Sequence, residues 1–389
     1  MRSVRLRCYA CGATATLDER KRCSCGEPLW IDTDPAGFEW PDCRDPGMWR
    51  YADLLPVDPP SGVGAAAGGT PLVRTPRLDV DGRRLFVKDE GQNPTGSFKD
   101  RGSAVGVTYA AAMGRERVGT VSHGNMAMSM AATAAGCGLE CTVCVPADIP
   151  EEHLENIARY GPEIVRVEGD YGRLYDESLE LREIEFVNSD TPLRVAGQKT
   201  VVLEICETFA PEPPEAIVLP VSSGGQLSAI WKALRELRSA GLIDRIPRLY
   251  AVQAAACAPI VQAFERGDER VSSIEPGETI AYSIANADPP SGTRALAALR
   301  ESDGAAVAVE DRETRAARRR LAREGGFNVE TSSAVAYAGI RRLCERGEID
   351  AGERIVLIAT GSGFKERTTD ETSGIESRTI ELPELSTIG

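Results

Sequence analysis

The stretch Lys88-Asp89-Glu90-Gly91-Gln92-Asn93-Pro94-Thr95-Gly96-Ser97-Phe98-Lys99-Asp100-Arg101-Gly102 packs turn formers, small hydroxyls and lysine between a strand and a helix. Arg84-Leu85-Phe86-Val87-Lys88 has strand composition, and Asn93-Pro94-Thr95-Gly96 ends it with turn chemistry. Ser97 is a candidate helix N-cap, and Ala104, Val105, Val107, Ala110 and Ala111 form the apolar face of the helix that follows. Lys99 then stands in the first turn, where the positive end of the helix dipole favours the neutral, nucleophilic amine. A solvated lysine at a helix start is the alternative. Of the 45 lysines and arginines only six are lysines: Lys21, Lys88, Lys99, Lys199, Lys232 and Lys365. A chain that otherwise uses arginine points, where it keeps lysine, to an amine that can lose its proton.

Asn93 to Gly102 resembles the cofactor-lysine motif of the threonine synthase family, which belongs to the fold-type II pyridoxal-phosphate enzymes. In that family the lysine forms the Schiff base with the cofactor, so the resemblance implies that role for Lys99. It also implies a two-domain α/β fold like that of the tryptophan synthase beta chain, with parallel sheets, flanking helices and the cofactor in the cleft between domains.

Composition sets the outer bounds. A chain of 389 residues can bury a large core in two domains. The start, Met1-Arg2-Ser3-Val4-Arg5-Leu6-Arg7-Cys8, has no apolar signal region, and no run is long enough to span a membrane, so a cytoplasmic protein is expected. A net charge of −14 argues against a nucleic-acid surface and for a small-molecule substrate. Acidic excess with scarce lysine also suggests a halophilic setting, in which carboxylates keep the surface hydrated. The sequence does not decide the assembly, and a homodimer stays open.

Cys8-Tyr9-Ala10-Cys11-Gly12 and Cys23-Ser24-Cys25-Gly26 form two cysteine pairs, each closed by a glycine. Four thiolates, Cys8, Cys11, Cys23 and Cys25, can close a tetrahedral zinc site. Some threonine synthases carry a similar ribbon, and one this short needs a structural metal in place of a core. Cys137, Cys141 and Cys144 read instead as buried thiols of a strand region.

Three further strand ends complete the pattern. Arg117 to Val121 reads as a strand that turns at Ser122-His123-Gly124-Asn125 into a helix from Met126 to Ala135, whose first amides suit a carboxylate. By resemblance Asn125 hydrogen-bonds the cofactor's phenolic oxygen, and Ser122, His123 and Gly124 cradle the substrate; His123 stands where the family has a small residue. Ala216 to Val221 leads into Ser222-Ser223-Gly224-Gly225-Gln226 and a helical apolar stripe, the makings of a phosphate cup. Ile355 to Ala359 ends at Thr360, whose neutral hydroxyl, by resemblance, faces the pyridine nitrogen. Asn188 to Thr200 resembles another family segment, with Thr191 and Ala196 in place of an asparagine and a glutamate, and Glu330 to Ala334 resembles a segment lining the site.

The expected layout is a zinc ribbon over 1–32, an arm and the start of the catalytic core over 33–104, a small domain over 105–195, a large domain over 196–365 and an acidic tail over 366–389. By resemblance the protein is a carbon-oxygen lyase that converts O-phosphohomoserine and water to threonine and phosphate, with Lys88 and Arg101 as candidates for the substrate phosphate. A threonine or serine deaminase, or a relative of cysteate synthase, is the alternative enzyme.

Overall fold

The protein was analysed as a computed structural model that describes residues 4–17, 22–42 and 47–366. Lys21 and the expected acidic tail beyond 366 lie outside the described residues.

Three sheets organise the chain. β1 (Arg5–Cys8), β2 (Thr14–Thr16) and β3 (Leu29–Ile31) form an antiparallel ribbon in the order β2-β1-β3. Two short strands, β4 (Leu72–Arg74) and β5 (Arg84–Asp89), open the main body. Next come β6 (Arg117–Val121), β7 (Glu140–Pro146), β8 (Glu163–Val167) and β9 (Glu185–Phe186), a parallel sheet in the order β8-β7-β6-β9. Finally β10 (Ala216–Pro220), β11 (Arg248–Ala254), β12 (Ala305–Val309) and β13 (Arg354–Ala359) join β5 and β4 in the order β12-β11-β10-β13-β5-β4. Only β4 runs antiparallel there.

The central strands Ala-Ile-Val-Leu-Pro and Arg-Ile-Val-Leu-Ile-Ala are apolar at nearly every position because helices cover both faces of the sheet. Val201, Leu227, Ile230 and Leu234 pack on one face, and Val335, Ile340 and Leu343 on the other. Cys141 and Cys144 are buried on β7 as expected of core thiols, and Cys137, half-buried, packs beside them. The arm before β4 carries two short 3₁₀ helices, Met48–Leu54, kinked at Tyr51, and Gly62–Ala66; Met48, Trp49, Tyr51 and Leu54 of the first are buried.

The helix Lys99–Ala112 begins where the sequence places it, but Phe98 rather than Ser97 stands at its cap. Ser97 is held extended by a bridge to Gly361, and Phe98 N donates to Thr360 O at 3.0 Å. The Ser97 hydroxyl is therefore turned from the helix and has no partner among the described residues.

Two expected substrate residues are corrected here. Lys88 and Arg101 are buried in an ion-pair knot, where they cannot meet a substrate phosphate. Arg101 Nε reaches Glu90 Oε2 at 2.6 Å and its Nη1 reaches Glu204 Oε1 at 2.7 Å, while Lys88 Nζ lies 2.6 Å from Glu204 Oε2. Thr70 Oγ1 donates to Glu90 Oε1 at 2.5 Å and Thr70 O accepts from Lys88 at 2.5 Å, so the remaining valences are satisfied. Sequence reasoning missed Glu204 because it arrives from a helix, Thr200–Phe209, a hundred residues downstream.

Burial alone would raise the Glu204 carboxyl, but Arg101 and Lys88 outweigh it and hold it down to about 2. A carboxylate depressed in the folded state stabilises fully above its ordinary 4.5, and that contribution is lost as pH falls toward 2. Glu204→Gln is expected to cost ~3–5 kcal/mol by leaving the buried cations short of a carboxylate. Urea titrations should show that loss at neutral pH, together with a shallower decline of stability in the variant between pH 4.5 and 2.

Candidate active site

Four loops that leave the carboxyl ends of parallel strands meet in one cavity of about 870 Å³. Ser122 to Asn125 follow β6, Ser222 to Gln226 follow β10, Thr360 follows β13, and the Lys99 helix follows β5. Ligands of open parallel sheets bind outside such carboxyl ends, where helix N-termini face the same opening. Adjacency in the larger sheet brings three of the four together: β13 pairs with β5 through Ala359 and Asp89, and with β10 through Ile355 and Ala216, while the loop after β6 arrives from the smaller parallel sheet.

Lys99 is half-buried and lines the cavity, so its residual exposure faces the cavity. Its Nζ lies 4.5 Å from the centre of the Phe98 ring and has no hydrogen-bond or ion-pair partner among the described residues. Desolvation, reinforced by the Arg194 guanidinium and only partly opposed by Glu330, lowers the Lys99 amine to about 7. Arg194 is itself buried, and carbonyls hold it: Nε and Nη2 donate to Val187 O at 3.0 and 2.8 Å, and Nη1 to Lys99 O at 3.3 Å.

The loop after β10 is shaped for close approach. Gly224 has φ +82 and a Cβ there would lie 2.5 Å from Ser291 O; one on Gly225 would lie 2.7 Å from Ser189 O. No residue with a side chain fits either place. The helix Gly225–Ser239 starts here, and its first amides have no preceding carbonyl. Both side-chain polar atoms of buried Gln226 are without partners among the described residues. Backbone amides and an unsatisfied amide side chain around small residues can hold a phosphate.

Asn125 begins its helix, Asn125–Cys137, with its amide held at both ends: Nδ2 donates to Glu330 Oε2 and Oδ1 accepts from Lys365 Nζ, each at 2.7 Å. Thr360 Oγ1 donates to Glu330 Oε1 at 2.7 Å and lies 2.8 Å from Ser333 Oγ. His123 also lines the cavity, its imidazole pushed down first by burial and then by His153. His153 sits outside, its ring 5.7 Å from that of the cavity residue Tyr282.

Comparison with known proteins decides the family. Residues 63–361 match the family of pyridoxal-phosphate dependent enzymes. The chain is 39% identical over 374 residues to the threonine synthase of Methanocaldococcus jannaschii, with 92% of each chain covered. It is also 39% identical over 330 residues to that of Mycobacterium leprae, covering 82% of this chain and 88% of that one. The chain belongs to the threonine synthase family of pyridoxal-phosphate dependent enzymes. Among solved structures, maize serine racemase superposes with a TM-score of 0.65 at 22% identity over 76% of this chain and 88% of that chain, which is a likeness of fold.

Within this threonine synthase framework, every expected cofactor residue, Lys99, Asn125, Ser222, Ser223, Gly224, Gly225, Gln226 and Thr360, lines the one cavity, as do Ser122, His123 and Gly124. The amine, the orphaned Gln226 amide and the small-residue cradle fit pyridoxal phosphate. Glu330 and Lys365 were missed as individual site residues, although scarcity had flagged the second. That scarcity argument was too broad: Lys88, Lys199 and Lys232 are also buried, each against a glutamate. Lysine is kept here for compact buried cations as well as for amine chemistry.

A depressed lysine is neutral above its folded value, so cofactor-free protein should capture pyridoxal phosphate at a rate that climbs through pH of about 7 rather than near 10.5. Stopped-flow absorbance of the cofactor across pH 5.5 to 9 measures this, and a midpoint above ~9 would contradict the desolvated setting of Lys99.

Proposed function

We propose that the chain converts O-phosphohomoserine and water to threonine and inorganic phosphate. One observation carries the reading: the low-pKa amine of Lys99 shares a cavity with the phosphate cradle after β10 and the Ser122-His123-Gly124-Asn125 turn. The relatives over most of the chain are threonine synthases, which supports the same substrate class.

Lys99 would be the amine that holds the cofactor's aldehyde carbon, and Ser222, Ser223, Gly224, Gly225 and Gln226 would receive its phosphate. Bound there, pyridoxal phosphate supplies an electron sink conjugated with the substrate's Cα. Freed from the cofactor, Lys99 would be about half neutral near pH 7 and could take a proton from Cα and one from Cβ, phosphate leaving from Cγ, a proton being returned to Cγ and to Cα, and the water oxygen adding at Cβ. Asn125 is positioned for the ring's phenolic oxygen, and Glu330 and Lys365 fix its amide. Thr360 serves the ring nitrogen; its hydroxyl already donates to Glu330, so a carboxylate backs a site expected to be a hydroxyl alone. Ser122, His123 and Gly124 take the substrate, with the helix N-terminus behind them favouring its carboxylate.

The ribbon holds zinc in this reading. The Sγ atoms of Cys8, Cys11, Cys23 and Cys25 all lie within 4.8 Å of one another. Cys8 to Cys25 is 3.6 Å and Cys11 to Cys23 is 3.5 Å. Tetrahedral zinc with Zn–S of about 2.3 Å places its sulfurs about 3.8 Å apart, which these spacings approach. The charge of −14 supports a cytoplasmic, salt-adapted setting. No helix among the described residues is long and apolar enough to cross a membrane.

Purified protein is expected to release phosphate from O-phosphohomoserine, and Lys99→Ala to lose both the visible cofactor band and about 10²–10⁴-fold in rate. Ammonia from threonine without phosphate release would move the chain to the deaminases. Metal analysis should find about one zinc per chain, and Cys23→Ser should lose it with a fall in melting temperature.

A further inference from the structure

The cysteine ribbon reaches the catalytic cavity. Arg22, Gly26 and Glu27 line the same cavity as Lys99, and they flank the Cys23 and Cys25 pair. The knuckle fixes its own loop: Cys23 N donates to Glu27 O and Gly26 N to Cys23 O, both at 2.9 Å, and Arg22 Nη1 donates to Gly26 O at 3.3 Å.

Arg22 then leaves the ribbon. Its Nη2 lies 2.6 Å from Asp190 Oδ2, a carboxylate whose side chain is 2% exposed and which also accepts from the Tyr175 hydroxyl. Asp190 sits in the strip that joins the two larger sheets. Next to it, Asn188 Oδ1 accepts from Val121 N at 2.9 Å, one residue before the Ser122 turn. Ser189 O is the carbonyl that crowds Gly225 in the phosphate cradle. One guanidinium thus ties the cysteine knuckle to the strip that props both the turn and the cradle.

A second path runs through the opposite wall. The Arg294 guanidinium lies 5.6 Å from the centre of the Trp30 ring on β3, its Nη2 donates to Ser291 Oγ at 2.9 Å, and Ser291 N donates to Ser223 O at 2.9 Å. Ribbon contacts therefore meet the cradle from both sides.

We propose that the ribbon is a wall of the active site, and that Arg22, held by the metal-bound knuckle, is a positioning residue that sets the substrate side of the cavity through Asp190. The inference rests on the four cysteines holding a metal. Without metal the 23–27 loop has only its short hydrogen bonds to hold it, and a buried carboxylate draws on a cation whose base has loosened. Displacement of the 188–190 strip then moves the Ser122 turn and the cradle together, while the Arg101 knot holds the start of the Lys99 helix and Arg194, between Val187 O and Lys99 O, is the path by which any shift would reach it.

The test uses the cofactor-loaded, metal-assayed enzyme and three variants: Arg22→Met, Arg22→Lys, and Arg22→Met with Asp190→Asn. The double variant removes the pair without leaving an uncompensated buried carboxylate. With zinc, cofactor and circular dichroism unchanged, the double variant is expected to raise KM for O-phosphohomoserine roughly tenfold with kcat within about threefold, since a displaced wall misplaces substrate. Arg22→Lys should restore most of that KM. Hydrogen exchange should quicken in the 121–126 and 187–191 peptides, both in the double variant and in wild type stripped of zinc by a chelator. Unchanged KM and unchanged exchange in a double variant that keeps its zinc would overturn the proposal, as would chelation that removes zinc and leaves those peptides protected. Wild type that carries no metal refutes the coupling along with the metal reading. Wild type that carries zinc but releases no phosphate refutes only the reaction, and exchange still decides the wall.

Discussion

The Arg101 guanidinium, buried between Glu90 and Glu204 with Lys88 beside it, is the interaction on which the rest of the site depends. It stands two residues after Lys99 and twelve after the end of β5. Through it the loop before the helix, the helix itself and a helix from the middle of the chain, Thr200–Phe209, become one rigid unit. Ionic burial of this kind is costly unless every valence is met, and Thr70 and Thr200 meet the remainder. A solvated loop could not keep the amine at a fixed depth, and a fixed depth is what its lowered basicity requires.

The second constraint is electrostatic. Lys99 lies in a desolvated corner beside an arginine held by carbonyls and the Ser103 hydroxyl, with no carboxylate in hydrogen-bond contact among the described residues, so a positive charge on its own amine is disfavoured. Glu330 limits the effect and at the same time accepts from both Asn125 and Thr360. A single carboxylate therefore connects Asn125 and Thr360, two side chains that line the cavity from different strand ends. Lys365 closes the arrangement by joining Asn125 to Gly96, within the turn that precedes Lys99.

Much of this was legible in the chain. Strand composition, turn residues and helix starts place the four loops correctly, because each loop's chemistry is local: small residues for close approach, a lysine at a helix start, glycine after paired cysteines. Arg101 and Lys88 were misread for the opposite reason. Glu204, the carboxylate they share, is distant in sequence, and although Glu90 stands in the same stretch as Arg101, nothing local shows that the loop folds back to pair the two. Ser97 failed as a cap because Gly361, equally distant, draws its backbone into a bridge.

The sequence by itself pointed to the cofactor class through its family resemblance, to Lys99 as the candidate amine and to the four cysteines that cluster in the ribbon, since each signal is written in short stretches of neighbouring residues. Only the tertiary structure decided which charges reach the cavity. Sheet order brings β5, β13 and β10 side by side, helix packing sends Lys88 and Arg101 into the core against Glu204, chain segments distant in sequence set Glu330 and Lys365 against Asn125, and docking of the ribbon lays Arg22 against Asp190. The physical reason is that charge is neutralised through space, by partners tens or hundreds of residues away, whereas turn and metal-ligand chemistry is settled along the chain.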